Sequence, residues 1–404
     1  MQLLTGIVRN YPWGSRTALA RLRGAEPTDQ REAEMWFGAH PLAPSLVGDR
    51  TLIDVIADDP IHSLGNTADQ CQGLPFLLKL LAADEVLSLQ AHPSREQAKE
   101  GYARENEAGI ALNAPHRNYK DDNHKPELIV ALSEFEAMAG FRPVPLTNEL
   151  FDVLACPELE RYRSLLPDAP ADSVAQDSGD NVRALFTTWI TIPPAARVEL
   201  ISAVVASARA VLDDSAREVP QWMREALSNI VELNEMYPGD VGVLGALLLN
   251  KLTLQPGEAL YLDAGNLHAY VRGLGVEIMA NSDNVLRGGL TSKHVDVPEL
   301  VKVLNFDTLE DARLAGEESV VEGARVVRYP VPIDEFALTR VELDGRWEVP
   351  TGTPTIIVCT KGTVKADDAA TVLDLRAGQA AWIPAGNAQV VLEGSGQLFV
   401  ATHA

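Results

Sequence analysis

The sequence predicts a mainly β protein: two antiparallel barrels, with an α-helical domain inserted between strand-rich segments. Two observations carry this. Leu254 to His268 (Leu254-Gln-Pro-Gly257 through Gly265-Asn266-Leu-His268) aligns without gaps on Leu375 to Gln389, a constant offset of 121 positions (375 − 254). Between about residues 146 and 240, by contrast, apolar residues recur at three- and four-residue intervals rather than in short runs.

Taken in chain order, residues 1–145 carry short apolar runs bounded by Gly, Pro, Asn and Asp, such as Leu74 to Leu81, Val86 to Ala91 and Leu128 to Leu132. Such runs predict strands. Arg197 to Leu212 and Gln221 to Glu235 then predict amphipathic helices, with Pro193-Pro194 opening the first, Pro220 just before the second and Pro238-Gly239 ending the run. Beyond 240 the two repeat copies each read as a Gly turn, a short strand ending in an aromatic and an aliphatic residue, a second Gly turn and a return strand. That is a β-hairpin-like unit, and two copies imply two related barrels; coincidence of two glycine turns is the competing explanation.

Composition narrows the function classes. The 404 residues hold 34 Lys and Arg against 57 Asp and Glu, a formal charge of −23. This acidity disfavours nucleic-acid and membrane-surface binding, and an anionic substrate would require a local cluster of cations. The three cysteines, Cys71, Cys156 and Cys359, fit neither a disulfide framework nor a metal knuckle and read as reduced, buried thiols. The first residues do not form a secretory signal, and the longest uncharged apolar run, Val241 to Leu249, is shorter than the ~20 residues of a membrane span. A cytoplasmic protein is expected.

Polar residues inside three strand-like runs point to a metal. On a strand, residues two apart share a face, so Ser88, Gln90 and His92 look one way, and Lys125 and Glu127 look one way. His268 and Tyr270 project inward from the first repeat's return strand, where the second copy has Gln389 in place of His268, so only the first barrel is expected to hold metal. Gln90, His92, Glu127 and His268 thus form a candidate set. Two imidazoles with one carboxylate match catalytic zinc, an amide oxygen being a weaker additional donor, and the lack of Cys argues against a closed structural site. Taken singly, a Gln-x-His strand is ordinarily a polar edge and a Lys-Pro-Glu segment a solvated turn. His40, His62, His116, His294 and His403 read as ordinary surface or core imidazoles.

Several separated stretches, in order, carry a resemblance: Tyr11-Pro12-Trp13-Gly14, Glu34-Met35-Trp36-Phe37-Gly38-Ala39-His40-Pro41, Leu74-Pro75-Phe76-Leu77-Leu78-Lys79, Leu87-Ser88-Leu89-Gln90-Ala91-His92-Pro93, Asp122-Asn123-His124-Lys125-Pro126-Glu127, and Gly265-Asn266-Leu267-His268-Ala269-Tyr270 to Gly288-Gly289-Leu290-Thr291. The chain resembles the type I phosphomannose isomerases, a zinc-dependent cupin family. The resemblance implies a catalytic cupin (jelly-roll) domain from 1–145 and 240–310, a helical insertion at 146–239 and a C-terminal cupin-like domain without metal at 311–404. It implies one Zn2+ per chain on Gln90, His92, Glu127 and His268, a monomer, and a place in mannose metabolism, including the supply of GDP-mannose. The implied reaction interconverts mannose 6-phosphate and fructose 6-phosphate through an enediol.

Such a reaction needs a base, an electrophile and a phosphate clamp. Arg287, beside Gly288-Gly289, is the catalytic arginine the resemblance implies. Lys79 and Lys293, helped by the Ser88 hydroxyl, are the expected phosphate ligands. Glu277 lies between apolar neighbours that would raise its pKa, which makes it a candidate base with His124 and Lys125 as rivals. Asp283 and Tyr270 are expected to line the pocket. Trp13 and Trp36 are expected mainly to pack, with Trp13 the one that would face the sugar. The competing expectation is a sugar-phosphate-binding cupin or a metal-dependent oxygenase.

Overall fold

The strand Phe76–Ala83 (Phe-Leu-Leu-Lys-Leu-Leu-Ala-Ala) is buried at every position, and the reason lies on its two faces. Phe76, Leu78, Leu80 and Ala82 enter an apolar core shared by two sheets. Leu81 and Ala83 belong to a second core on the opposite side, and Leu77, Lys79 and Leu81 line a cavity. Its antiparallel neighbours repeat the division. Leu128 and Val130 of Glu127–Ala131, and Val276 and Ile278 of His268–Ala280, join the shared core, while Glu127, Glu277 and Met279 line the cavity. Period-2 alternation therefore places the charged residues of near-continuous apolar runs on one inner face.

The computed structural model describes residues 1–69, 73–167 and 178–404. Among these residues it is mainly β, with an eleven-stranded and an eight-stranded antiparallel sheet. Cys71 lies outside the described residues; Cys156 and Cys359 are free and buried. The shared core joins the sheets: Leu4, Phe37 and Phe76 meet Tyr329, Phe336, Trp382 and Phe399, each fully buried large side chain contributing about 1.5–3 kcal/mol. No described helix is long and apolar enough to cross a membrane.

The expected helices are present as Pro194–Asp213 and Gln221–Met236, capped by Pro193 and Pro220. With Val144–Leu154 and Ser178–Ile190 they enclose a core containing Phe151, Phe186, Val204 and Leu227. Helices also fall where only strands were expected: the short Ala18–Leu22, Leu52–Asp58 and Pro60–Leu64, and the longer Arg95–Glu107. Ser94 and Gln97 form a capping box at its start, but the helix is almost wholly polar and buries only Ala98, Gly101 and Glu105, so it lacks an apolar stripe.

The two repeat copies recur as Ala259–Leu262 with His268–Ala280, and Ala380–Ile383 with Val390–Thr402. They are not hairpins. Ala259–Leu262 pairs with Glu127–Ala131, which itself pairs with His268–Ala280, and Ala380–Ile383 and Val390–Thr402 likewise flank Thr355–Asp367. Each return strand skips one neighbour, the crossed connection of a jelly roll rather than a direct turn. Two strands also lie across the expected domain boundaries. Gln2–Leu4 pairs with Ala380–Ile383 in the C-terminal sheet, and Arg313–Leu314 pairs with Ala259–Leu260 in the first.

The crossed connection before His268 turns at Gly265, with φ +78°, where an added Cβ would lie 2.8 Å from the backbone N of Asn305 and 2.9 Å from the carbonyl O of Val303. Left-handed backbone alone costs a side chain about 1–2 kcal/mol. Gly265→Ala is therefore expected to lower the unfolding free energy by at least that amount, read as a lower denaturant midpoint.

Candidate metal centre and cavity

Strand register brings the candidate ligands together. Gln90, in Leu89–Ala91, pairs directly with His268 on one side and Arg287 on the other. Glu127 pairs with Met279 one strand over. His92 Nε2 lies 3.3 Å from one Glu127 oxygen and His268 Nε2 3.3 Å from the other, and the Gln90 amide is 3.4 Å from His268 Nε2. His92, Glu127 and His268 are 1–2 % exposed and offer ligand atoms within 4.8 Å of one another.

The protonation logic of this cluster calls for a cation. His92 Nδ1 sits 2.7 Å from the carbonyl of Asn284 and His268 Nδ1 2.9 Å from the carbonyl of Asn266. Each carbonyl accepts only from N–H, so Nδ1 carries the proton and Nε2 presents its lone pair to the Glu127 carboxylate. His92 Nε2 and Glu127 Oε2 accordingly have no hydrogen-bond partner among the described residues. Burial pushes His92 down to about 4, with Glu127 opposing. Burial alone would raise Glu127, but Lys125, 3.0 Å away, opposes it, and the carboxyl is held well below its usual range. Two lone pairs facing an ionised carboxylate are what a divalent metal satisfies, and the donor set fits one.

Asn284, which the sequence reading did not single out, ties this site together. Its fully buried amide accepts from the backbone N of Lys120 at 2.6 Å and donates to the carbonyls of Asp121 (2.8 Å) and Asn123 (2.9 Å). It thereby holds the segment leading into Lys125 and Glu127, while its own carbonyl orients His92.

The cavity beside the cluster has a volume of about 780 Å³ and is lined by Ser88, Gln90, Lys125, Glu127, Tyr270, Asp283, Arg287, Lys293 and Trp13, all expected at the site, together with Trp36 and His40. Trp13 also stacks on Tyr11, with ring centroids 5.6 Å apart. Asp283 pairs with His40 Nε2 at 3.4 Å, so His40 belongs to the site rather than to the general surface or core. The Tyr270 hydroxyl is buried without a partner among the described residues. Glu277 is lifted above the usual carboxylate range by burial, with Lys79 opposing and Glu127 and Glu34 adding to the rise.

Two expected roles are corrected. Lys79 reaches the cavity, but its ammonium is 2.8 Å from Glu277 and 3.7 Å from Glu34 and lies over the Trp36 ring. Burial would depress it, yet the three carboxylates Glu277, Glu34 and Glu127 push it up and keep it charged, so the geometry does not support it as a phosphate ligand. Glu34, missed in the sequence, accepts from Trp36 Nε1 at 2.7 Å. His124 does not line the cavity. Its Nε2 turns to Glu335 at 2.6 Å and to Arg95 at 2.9 Å, which removes it as a rival base. Arg287 and Lys293, in contrast, line the cavity without a carboxylate partner among the described residues; burial depresses both, and Arg287 and Lys120 further depress Lys293.

Comparison with known proteins agrees with this geometry. Residues 1–144 match the family model "phosphomannose isomerase type I, catalytic domain". The mannose-6-phosphate isomerase of Escherichia coli K12 is 38% identical over 406 residues, covering 98% of each chain. The chain belongs to the type I phosphomannose isomerase family. The relatives of this phosphomannose isomerase family member include the mannose-6-phosphate isomerase of Bos taurus, 32% identical with 99% of this chain and 93% of that one covered. A crystal structure of mannose 6-phosphate isomerase bound with zinc and yttrium superposes with a TM-score of 0.87 at 33% identity, covering 100% and 99% of the two chains. A lysine-to-alanine variant of phosphomannose isomerase from Salmonella typhimurium gives the same TM-score at 34% identity, with the same coverage. The fold is the mainly β cupin architecture of these structures.

Replacing Asn284 by Ala removes the amide that fixes the Lys120–Asn123 segment. Outer-shell losses of this kind typically cost 10–100-fold in metal affinity. Asn284→Ala is expected to fall in that range, measured by competition for Zn2+ with a chromophoric chelator.

Proposed function

We propose that the protein interconverts mannose 6-phosphate and fructose 6-phosphate, and the observation that carries this is the juxtaposition of the Gln90–His92–Glu127–His268 donors with Glu277, Arg287 and Lys293 around one cavity. The resident metal is zinc, held by those four donors. When bound there it supplies Lewis-acid polarisation of an oxygen on C1 or C2. The sugar phosphate is the substrate, and the free thiols of Cys156 and Cys359 fit the reducing cytoplasm. The organisation is a catalytic cupin domain of residues 1–145 and 240–310, interrupted by the helical insertion at 146–239 and followed by a metal-free C-terminal cupin-like domain at 311–404. Exposed Gln389, bonded to Glu348 at His268's repeat position, supports the metal-free assignment.

The residues divide the work by charge. Arg287 and Lys293, the cations without carboxylate partners, hold the phosphate, with Ser88 as a neutral donor. Glu277 takes the proton from C2 of the aldose and returns it to C1 of the enediol; burial, which raises its pKa, brings it toward the working pH. Lys79 keeps Glu277 in place and offsets its charge. Lys125 donates toward the oxygen that gains negative charge, with Arg287 as a second fixed cation. Tyr270, Asp283 and Trp13 orient the sugar. A binding protein or an oxygenase, the alternative expectation, leaves the Glu277–Lys79 pair without a task.

The test is conversion of fructose 6-phosphate to mannose 6-phosphate by the purified protein before and after chelation. Activity is expected to be lost on chelation, restored by Zn2+, and absent from His268→Ala. Glu277→Gln is expected to lower kcat by about 10²–10⁴-fold while keeping its metal; full activity in that variant removes Glu277 as the base, and no turnover by zinc-loaded wild type sinks the reading.

A further inference from the structure

The helical insertion contributes one cation to the cavity, Arg197. It lies in the first turn of Pro194–Asp213, where its backbone N–H donates to the carbonyl of Pro193 at 3.0 Å. The turn is tied to the barrel. Val198 lies against Gly239, 3.1 Å from where a Cβ would stand. The adjoining Asp240 carboxylate accepts from the backbone N of Leu290 at 2.7 Å. Leu290 leads directly into Thr291, Ser292 and Lys293 on the cavity wall. Arg197 and Lys293 thus both line the cavity, on segments linked through the Val198–Gly239 and Asp240–Leu290 contacts.

The Arg197 side chain also has no carboxylate partner among the described residues. Its Nε is buried without a hydrogen-bond partner among the described residues, although acids are plentiful in a chain of charge −23. Other arginines find them: Arg209 bonds Glu235 and Arg272 bonds Glu232. Leaving a buried donor unmet costs free energy, and a guanidinium presents a planar fork that matches phosphate oxygens two at a time.

We propose that Arg197 is a further substrate-binding residue, a third cation on the substrate phosphate, supplied by the helical insertion to the subsite of Arg287 and Lys293. The identity of the anion rests on the isomerase reading. The consequence is that the insertion forms part of the active site and bears on affinity rather than on the proton transfer itself.

The experiment compares wild type with Arg197→Gln and Arg197→Lys, using fructose 6-phosphate turnover and, independently, calorimetric binding of inorganic phosphate to the zinc-loaded protein. A charge-assisted hydrogen bond is worth about 1.5–3 kcal/mol, or about 10–100-fold in affinity. Arg197→Gln is expected to raise KM and the phosphate Kd together by that factor, with kcat changed less and zinc content retained; Arg197→Lys is expected to recover part of the loss. Unchanged KM and phosphate Kd in the folded Gln variant overturn the proposal. If that variant does not fold, a Lys variant with wild-type KM and a Gln-for-Lys change at Lys293 that alone accounts for phosphate affinity overturn it equally. Wild type that binds phosphate through Arg197 yet turns over no sugar phosphate keeps the proposal and removes the isomerase reading. Wild type that binds no phosphate removes the proposal.

Discussion

A buried carboxylate facing two imidazole lone pairs is the constraint on which the site depends. Glu127 has Lys125 as its ammonium partner, yet both His Nε2 atoms point at it with their protons committed to backbone carbonyls on the far side. Without a cation between them this arrangement is repulsive in a low-dielectric interior. The surrounding network, from Asn284 through the Lys120–Asn123 segment, holds the repulsion in place rather than letting it relax. Such preorganisation lets a bound ion find its ligands already oriented.

The second organising feature is burial on both faces of the strands that carry the site. One face of Phe76–Ala83, Glu127–Ala131 and His268–Ala280 packs on the C-terminal sheet, so those strands tolerate charge only on the other. Lys79, Glu127 and Glu277 all occupy it. The C-terminal sheet plays the opposite part. Its face toward the catalytic sheet, with Tyr329, Phe336, Trp382 and Phe399, is apolar and covers that sheet, while Val341, Leu343, Ile357, Val364 and Leu398 on its other face form a core of their own.

How much of this was legible in the sequence follows from the range of each interaction. The ligand set Gln90, His92, Glu127 and His268 could be read because each sits in a strand, or in the case of His92 directly after one, whose period-2 pattern fixes its direction locally. The two amphipathic helices were legible for the same reason. What escaped depends on partners distant in the chain. Lys79 reads as a phosphate cation in the sequence because its carboxylate partner, Glu277, lies 198 positions away, and His124 reads as a rival base because Glu335 lies 211 away. A gapless repeat preserves the sequence of turns and strands but not which strands are neighbours, so the crossed connections read as hairpins. Asn284 and Arg197 escaped because a buried amide network and an unpaired guanidinium leave no periodic signal.

The pairing of Gln2–Leu4 with Ala380–Ile383 has a consequence for how the chain is made. Gln2–Leu4 must wait for Ala380–Ile383, made much later, before it finds its place, a contact of very high sequence separation that slows folding. Until then Leu4, which is 2 % exposed in the finished protein, has no core to enter. A C-terminal sheet produced apart from the N-terminal residues would likewise present Ala380–Ile383 as an open edge, ready to pair with another chain. Two strands far apart in the chain thus close one sheet between them, and the integrity of the cover depends on both having been made.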